Sequence, residues 1–213
     1  MKFLHLGDLH LGKTLFDFDL IEDQRYILDQ ILRVAEKESV DGVLIAGDVY
    51  DKSVPSEAAT KLLDYFLIEL TKREIKVFMV SGNHDSDERL NYGSTLFASN
   101  QIFISAVFDG TLHKQSFADG NTKIDIYMLP FVKASQVRHY FPDEKIESYD
   151  DAVQTIIRNT DINRGNKNLL VAHQFVAGNG EDPALAGSES VGTQSVGLVE
   201  KIGYDCFEEF DYV

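Results

Sequence analysis

Short apolar runs that alternate with helical patterns constrain the fold of this chain more than any other feature. Each run has the length and composition of a buried strand, and three occur early in the chain: residues 2–6, 42–46 and 75–80. Apolar residues recur at helical spacing over 27–35, and again over 62–70 behind a helix start at Pro55 and Ser56. Strands joined by helices of this length form right-handed βαβ units. The sequence therefore predicts an α/β fold with a largely parallel sheet.

The middle of the chain predicts a different arrangement. Residues 101–107, 111–117 and 122–129 are strand-like. Between them lie the turn signals Asp-Gly at 109–110 and Asp-Gly-Asn at 119–121. Turns of this composition connect hairpin strands. We therefore expect an antiparallel meander here.

The last part of the chain combines helical and strand patterns. Weakly helical stretches cover 134–140 and 149–158, and an apolar strand over 168–172 delivers His173. The stretch 174–199 is rich in Gly and Ser. A stretch of this length and composition predicts a long functional loop.

Length and composition are those of one folded domain. The chain has 213 residues, of which 44% are hydrophobic and 26% are charged, an ordinary globular balance. We expect no membrane contact, because the sequence has neither a signal peptide nor a run of the ~18 apolar residues that span a bilayer. The lone cysteine, Cys206, forms no internal disulfide and is most simply a small buried side chain. The reducing cytoplasm is the expected compartment.

The net charge of −15 opposes nonspecific binding to nucleic acid. Surfaces that bind phosphates without sequence preference are usually basic and release counterions. Divalent metal ions would offset the charge locally. If the chain acts on DNA, we expect a partner subunit, or sequence outside these 213 residues, to share the grip on the DNA.

Polar motifs stand directly after four of the apolar runs. They are Gly7-Asp8-Leu9-His10, Gly47-Asp48-Val49-Tyr50-Asp51, Gly82-Asn83-His84-Asp85 and Ala172-His173. Loops beyond the carboxyl ends of parallel strands form the ligand crevice of open α/β sheets, so these motifs can converge there. For the third motif taken alone, a hairpin turn at Gly82 and Asn83 is the alternative.

The side chains of these motifs suit a pair of metal ions. Carboxylate, imidazole and amide oxygen together favour borderline metals such as Mn²⁺, Fe²⁺ or Zn²⁺. Asp8 and His10 lie two apart on an extended turn and can hold one ion. Asp48 is the natural bridging carboxylate, and Asn83 with His173 would hold the second ion. Two ions ~4 Å apart activate a water and stabilise the oxygens of phosphoryl displacement, so the motifs predict a two-metal phosphoesterase.

Three further residues are candidates for supporting roles. His84 directly follows a ligand and would face the substrate, so we assign it to protonating the leaving group or stabilising the phosphate. Asp51 and Asp85 are candidates for orienting the ligands from behind. For Asp85, a helix N-cap before residues 86–98 is an equal alternative. Histidines without this setting are expected to be surface or packing residues: His5, His113 and His139.

The strings GDLHLG, GDVYD, GNHD and a later AH resemble the calcineurin-like metallophosphoesterase superfamily. Its fold is a two-sheet α/β sandwich flanked by helices. More narrowly, GDLHLGKTL, GDVYDKSVPSEAA, GNHDSDERLNYGS and VAHQFVAG are similar to the SbcD family of nuclease subunits, and the likeness runs from residue 1 to residue 213. The resemblance implies two Mn²⁺ ions, with Mg²⁺, Fe²⁺ or Zn²⁺ as alternatives. It also implies the ligand assignment given above and a catalytic His84.

One motif of that family is absent. The family's Gly-His-x-His, which gives a ligand to each metal, does not occur in the sequence. By resemblance, residues 1–213 are then a metallophosphoesterase domain that is incomplete at its C-terminus. The capping domain and the segment that binds the ATPase are also missing. Because both ions lose an imidazole, we expect weak metal binding and poor activity from this stretch alone.

The function implied by the resemblance is a metal-dependent DNA exonuclease and endonuclease subunit. It would cut duplex ends together with an SbcC-type ATPase in DNA repair, recombination and replication, and it would form a homodimer as its relatives often do. Two alternatives stay open: a phosphatase or small-molecule phosphodiesterase of the same fold, and a noncatalytic scaffold. The chemistry of the site does not by itself choose among phosphate esters.

Overall fold

Strands and helices alternate along the chain, and the computed structural model describes residues 1–177 and 202–213. The strands are β1 (Phe3–Gly7), β2 (Thr14–Leu15), β3 (Phe18–Asp19), β4 (Gly42–Ala46), β5 (Lys76–Val80), β6 (Ile102–Ser105), β7 (His113–Asp119), β8 (Thr122–Leu129), β9 (Lys167–Ala172), β10 (Val176–Ala177) and β11 (Ile202–Gly203). The helices are α1 (Ile21–Lys37), α2 (Glu57–Lys72), α3 (Asp87–Leu90), α4 (Ser94–Ala98), α5 (Ala134–Tyr140) and α6 (Tyr149–Arg158), with a 3₁₀ turn at Tyr204–Phe207.

The first sheet is parallel, with the strand order β1-β4-β5-β6. All five residues of β4 are buried, as expected of a parallel strand that is covered on both faces. Helices α1 and α2 cover one of those faces through Leu28, Leu32 and Phe66. Helix α2 begins where predicted, because the Ser56 side chain accepts the backbone N–H of Ala59 at 3.1 Å. The predicted βαβ units are confirmed.

The predicted antiparallel meander is wrong in its first strand. Strand β6 pairs in parallel with β5, and Phe103 stacks on Phe78 across that pair, with ring centroids 5.4 Å apart. Helices α3 and α4 supply the crossover that parallel pairing requires, with Gly93 between them at φ 76°. The turn at 109–110 therefore leads from one sheet to the other. Strands β7 and β8 do form the predicted antiparallel hairpin, which turns at Gly120.

The second sheet has the order β7-β8-β9, and β9 runs parallel to β8. Its inner face packs on the first sheet, where residues of β4 and β5 meet residues of β8 and β9: Leu44, Phe78, Val80, Ile126, Met128 and Val171. Its outer face is covered by α5 and α6, through Val137, Val153 and Ile156. The two-sheet sandwich flanked by helices is thereby confirmed.

A buried carboxylate lies within the second sheet. Asp125 on β8 accepts hydrogen bonds from the Lys114 ammonium (2.9 Å), the Ser116 hydroxyl (2.6 Å) and the Asn166 amide (3.0 Å). Burial alone would raise the pKa of Asp125, but these three donors outweigh it and lower the pKa below its ordinary value. Asp125 is therefore ionised at neutral pH.

The predicted loop over 174–199 lies outside the described residues except for its first four. Two of these form β10, which pairs in parallel with β11. Cys206 is half-buried, its thiol donates to the Gly203 carbonyl at 3.1 Å, and burial raises its pKa to about 12. Over residues 1–177 and 202–213, none of the helices combines the length and the apolarity needed to cross a bilayer.

Candidate metal centre

The loops after β1, β4, β5 and β9 converge at one edge of the sandwich. The first two loops run side by side, and the backbone N–H of His10 donates to the Asp48 carbonyl at 2.9 Å. Asp8, His10 and Asp48 all have left-handed backbones, with φ of 54°, 43° and 46°. This conformation is uncommon for residues other than glycine. Strained backbone of this kind is typical of functional sites.

Asp48 lies at the centre of the cluster, and its side chain is 4% exposed. Its Oδ2 faces the Nε2 atoms of three histidines, at 3.4 Å for His173, 3.6 Å for His10 and 4.0 Å for His84. Its Oδ1 accepts the backbone N–H of His84 at 2.9 Å. Burial would raise the pKa of Asp48, but the hydrogen bonds from His173 and from the His84 backbone lower it. The centre of the site is thus a carboxylate shared by three imidazoles.

Two groups of ligand-type side chains share this carboxylate. One is His10, Asp48 and His84, the other is Asp8, Asp48 and His173, and within each group the ligand atoms lie within 4.8 Å of one another. The Asp8 carboxylate is 3.6 Å from His10 Nε2. The neighbouring His10 imidazole lowers the pKa of Asp8. Residues predicted from four separate motifs therefore come together in one cluster.

The surroundings of His173 fit a divalent cation. Its Nδ1 lies 2.8 Å from the Ala46 carbonyl and donates to it, which leaves Nε2 facing Asn83 Oδ1 at 3.2 Å and the Asp48 carboxylate. Burial lowers the pKa of His173, but Asp48 outweighs burial and raises it. The oxygen atoms of Asn83 and Asp48 that face Nε2 favour a proton on this nitrogen. For the same reason they favour a metal ion bound there instead of the proton. A fixed Nδ1–H is the usual support of a histidine ligand.

Asp85 holds two of the loops together. Its carboxylate accepts the backbone N–H groups of Val49 at 3.1 Å, Tyr50 at 2.9 Å and Gly82 at 2.9 Å. The alternative in which Asp85 caps a helix is wrong, because Ser86 is the residue before α3. Burial, the largest influence, raises the pKa of Asp85. Asp85 thus contacts the backbone of the ligand-bearing loops.

Asp51 and His84 lie at the outer side of the cluster. The Asp51 carboxylate is 3.6 Å from His10 Nδ1. The other ring nitrogen of His10, Nε2, is the one that faces Asp48. The side chain of His84 is 40% exposed, against 18% for His10 and 16% for His173. These positions agree with an orienting Asp51 and a His84 that meets the substrate. Both roles stay predictions.

The remaining histidines lie elsewhere, as predicted. His5 hydrogen bonds to the Tyr212 hydroxyl at 2.8 Å, His113 pairs with Asp109 at 2.8 Å, and the ring of His139 packs edge-on against Tyr140. The hairpin-turn alternative for the third motif is wrong, since β5 continues into α3 and its next strand neighbour, β6, is parallel.

Three supporting residues were not predicted from the sequence. The Gln24 amide on α1 donates to the His10 carbonyl at 2.7 Å and accepts the Gly12 N–H at 2.9 Å. The sequence offers one indication of this role: Gln24 is a polar residue one helical turn before the buried Leu28, on the otherwise apolar face of α1. Gly47 and Gly82 allow close approach, because a Cβ atom would overlap His173 in the first case and Asp48 in the second. The residues around Gly47 and Gly82 in the sequence do not indicate that His173 and Asp48 lie this close to them.

The chain is similar to known proteins over most of its length. The family described as calcineurin-like phosphoesterase matches residues 1–196. The SbcD subunit of the nuclease SbcCD from Staphylococcus epidermidis is 37% identical over 219 residues, which cover 100% of this chain and 55% of that protein. The chain thus spans about half the length of this relative. A crystal structure of a dimetal phosphatase from Danio rerio matches with a TM-score of 0.47 and 14% identity, over 82% of this chain and 70% of that one.

Proposed function

The chain belongs to the calcineurin-like phosphoesterase family, and from that premise we propose that it is a nuclease that hydrolyses phosphodiester bonds at DNA duplex ends, with both exonuclease and endonuclease activity. One observation carries the proposal: a single buried carboxylate, Asp48, is shared by two groups of metal-ligand side chains. The similarity to a protein named as part of a nuclease supports DNA as the substrate. Membership of the family by itself supports a metal-dependent hydrolase.

In this proposal Asp8 and His10, whose side chains approach to 3.6 Å, would hold one ion. Asn83 and His173, 3.2 Å apart, would hold the other, and Asp48 would serve both. This assignment differs from the two spatial groups, which place Asp8 with His173 and His10 with His84. The donor set of carboxylate, imidazole and amide oxygen suits Mn²⁺, which we propose as the metal, and it also accepts Mg²⁺, Fe²⁺ or Zn²⁺. When bound, the ions would supply Lewis acidity and lower the pKa of a water. Asp85 and Asp51 would keep the ligand loops and the His10 ring in place.

His84 is the residue that we propose to act on the leaving group. Its Nδ1 lies 3.3 Å from the Asp51 carbonyl, so the ring orientation is set from behind, while the half-exposed ring edge is open to solvent. General acids of this kind contribute roughly 10²- to 10⁴-fold to turnover. Replacing His84 by Ala should therefore lower turnover by at least about 100-fold, with Mn²⁺ binding measured by calorimetry largely kept. Unchanged turnover would reject this role.

The substrate class is tested by comparing two phosphodiesters. Full-length protein with Mn²⁺ should cleave duplex DNA, and Asp48→Asn should abolish cleavage while leaving the fold intact by circular dichroism. Robust hydrolysis of an aryl phosphodiester without cleavage of DNA would instead favour a phosphatase or small-molecule phosphodiesterase of the same fold. Failure on both substrates would favour a noncatalytic scaffold.

The proposed setting is that of the relative named as a subunit of a nuclease complex. We propose an SbcC-type ATPase as the partner, DNA repair, recombination and replication as the process, and the cytoplasm as the compartment. The net charge of −15 supports a DNA-binding surface to which the partner subunit contributes, because this chain alone repels phosphates. Copurification of the ATPase with the tagged protein, and stimulation of cleavage by ATP, are the corresponding tests.

A homodimer is proposed from an apolar patch on the far side of α2. Tyr92 and Leu96 are 84% and 76% exposed. Tyr92 lines a cavity of about 450 Å³ together with Ile68 and Phe97, and Leu96 precedes Phe97 on α4. Contiguous exposed apolar surface of this kind marks protein interfaces. Replacing Leu96 by Asp should convert a dimer to a monomer by light scattering. A wild-type monomer at micromolar concentration would contradict the proposal.

A further inference from the structure

An exposed apolar hairpin stands beside the candidate metal centre. Strands β2 and β3 pair Leu15 with Phe18, and the two-residue turn between them is Phe16-Asp17. Phe16 is 91% exposed, Phe18 74% and Leu15 57%. Single exposed apolar side chains are common, but three that lie together on one short hairpin mark a binding surface.

The backbone of the hairpin tip is strained. Phe16 has φ of 53°, a left-handed conformation that glycine adopts readily and that is unfavourable for other residues. Turns with positive φ at their first central position usually carry glycine there. Here the position instead carries Phe16, the most exposed large apolar side chain among the residues that the structure describes. Strain of this kind at an exposed side chain is consistent with a role for the ring itself.

The hairpin is tied to the loop that carries the metal ligands. The Lys13 backbone N–H donates to the His10 carbonyl at 3.1 Å, and the Leu20 N–H closes the hairpin base on the Lys13 carbonyl at 3.2 Å. The Gln24 side-chain amide donates a hydrogen bond to the same His10 carbonyl. The tip is three residues from Lys13, so it reaches about 10 Å from the His10 backbone at ~3.3 Å per strand residue. That reach equals roughly three stacked nucleotides at 3.4 Å each.

The negative charge around the hairpin limits which part of a nucleic acid it can bind. Asp17 and Asp19 flank the aromatic rings, and Glu22 and Asp23 follow in the first turn of α1. Four carboxylates prevent the hairpin from lying along phosphates, as a groove-binding ribbon would. The faces of the bases are uncharged, and aromatic side chains stack on them without sequence preference. Base faces become accessible where the duplex is open.

We propose that the Phe16 and Phe18 rings stack on unpaired bases of the DNA, about three nucleotides from the metal centre, which makes duplexes with unpaired ends the preferred substrate. This inference rests on the proposed nuclease function. It adds the part of DNA that is recognised and the residues that recognise it.

The test uses full-length protein and DNA that resists cleavage through phosphorothioate linkages. One duplex is blunt, and the other has a four-nucleotide unpaired end with 2-aminopurine as the fluorescent base. The main variant combines Phe16→Gly with Phe18→Ser, because glycine accepts the backbone of the tip without strain. Phe16→Trp keeps a stacking ring, and Tyr204→Ser removes an aromatic side chain that is 55% exposed elsewhere on the surface.

Wild type should bind the unpaired end more tightly than the blunt end and change the 2-aminopurine fluorescence. The double variant should lose about ten- to a hundredfold in affinity for the unpaired end, the usual effect of removing a stacked ring, and should lose the fluorescence change. Phe16→Trp and Tyr204→Ser should behave as wild type. Hydrolysis of an aryl phosphodiester should be the same in all four proteins, since it needs only the metal centre.

Equal affinity of wild type and double variant for the unpaired end overturns the inference while leaving the nuclease proposal intact. Loss of copurification with the ATPase, with DNA binding unchanged, also overturns it, and would show that the hairpin binds protein. A wild type that hydrolyses the aryl phosphodiester but neither binds nor cleaves DNA defeats the nuclease proposal itself. The outcomes are therefore distinguishable.

Discussion

Replacing Gly82 by Ala should damage the metal centre more than its size suggests. A Cβ atom at this position would overlap the backbone nitrogen and the carboxylate of Asp48. The carboxylate alone could rotate away, but the backbone nitrogen belongs to a loop that is held by hydrogen bonds to His10 and to Asp85. The loop must therefore retreat as a unit, by about 1 Å, a displacement that can cost roughly 100-fold in rate when it affects catalytic groups.

The expected loss of stability is smaller than the loss of activity. Overpacking a close-fitting site costs about 1–3 kcal/mol, and each kcal/mol corresponds to roughly 2–4 °C in the unfolding temperature of a chain of this size. Gly82→Ala should therefore unfold a few degrees below wild type in differential scanning fluorimetry. Turnover of an aryl phosphodiester with Mn²⁺ should fall by about two orders of magnitude in the full-length protein.

Gly7→Ala is the matched control. Gly7 precedes the proposed ligand Asp8 as Gly82 precedes the proposed ligand Asn83. A Cβ atom at Gly7 would make only ordinary contacts, the nearest being 3.5 Å from the Ala46 carbonyl oxygen. It should keep both stability and turnover close to those of wild type. Wild-type turnover in Gly82→Ala, or an equal loss in Gly7→Ala, would refute the reasoning, because the effect would then not follow from the overlap with Asp48.

Three further changes test the framework around the site. Asp125→Asn should lower the free energy of unfolding at pH 7 by about 1–3 kcal/mol, measured by urea unfolding. Because the pKa of Asp125 is lowered in the folded protein, the carboxylate's contribution is present above the ordinary pKa and is lost as the pH falls through the lowered one. The stabilities of the two proteins should therefore converge in acid, and a gap that stays constant with pH would contradict this. Ser148→Ala removes the cap of α6 and should cost about 0.5–2 kcal/mol. Phe66→Ala, at a fully buried position, should cost about 3–5 kcal/mol.

Much of the fold could be predicted from the sequence because apolar period and chain connectivity are local properties. Residues 134–140 and 149–158 form helices at the predicted bounds, and β1, β4 and β5, the strands of the first three predicted runs, pair in parallel as expected. Strand β6 was misplaced because its sequence identifies a strand but not the sheet that it joins. That choice was made by packing, through the contact of Phe103 with Phe78, and by the crossover through α3 and α4.

The ligand-type residues could be predicted because each stands within a few residues of a strand end, and topology brings those ends to one edge. Asp8, Asp48, Asn83 and His173 needed no knowledge of side-chain packing. The contacts that hold them could not be predicted in this way. Gln24 reaches the His10 carbonyl across a helix–loop contact. Its place on the apolar stripe of α1 distinguishes it as a polar residue but does not identify the backbone group that it contacts.

Local preference and global fold disagree most at the centre itself. Asp8, His10 and Asp48 adopt a backbone conformation that their residue types disfavour, and His173 Nε2 is held against the acceptor atoms of Asp48 and Asn83. In helices α2 and α6, capping, apolar period and burial point to the same structure. Conflicts of this kind concentrate where function opposes stability. A divalent cation bound between His173, Asp48 and Asn83 would relieve the conflict around His173.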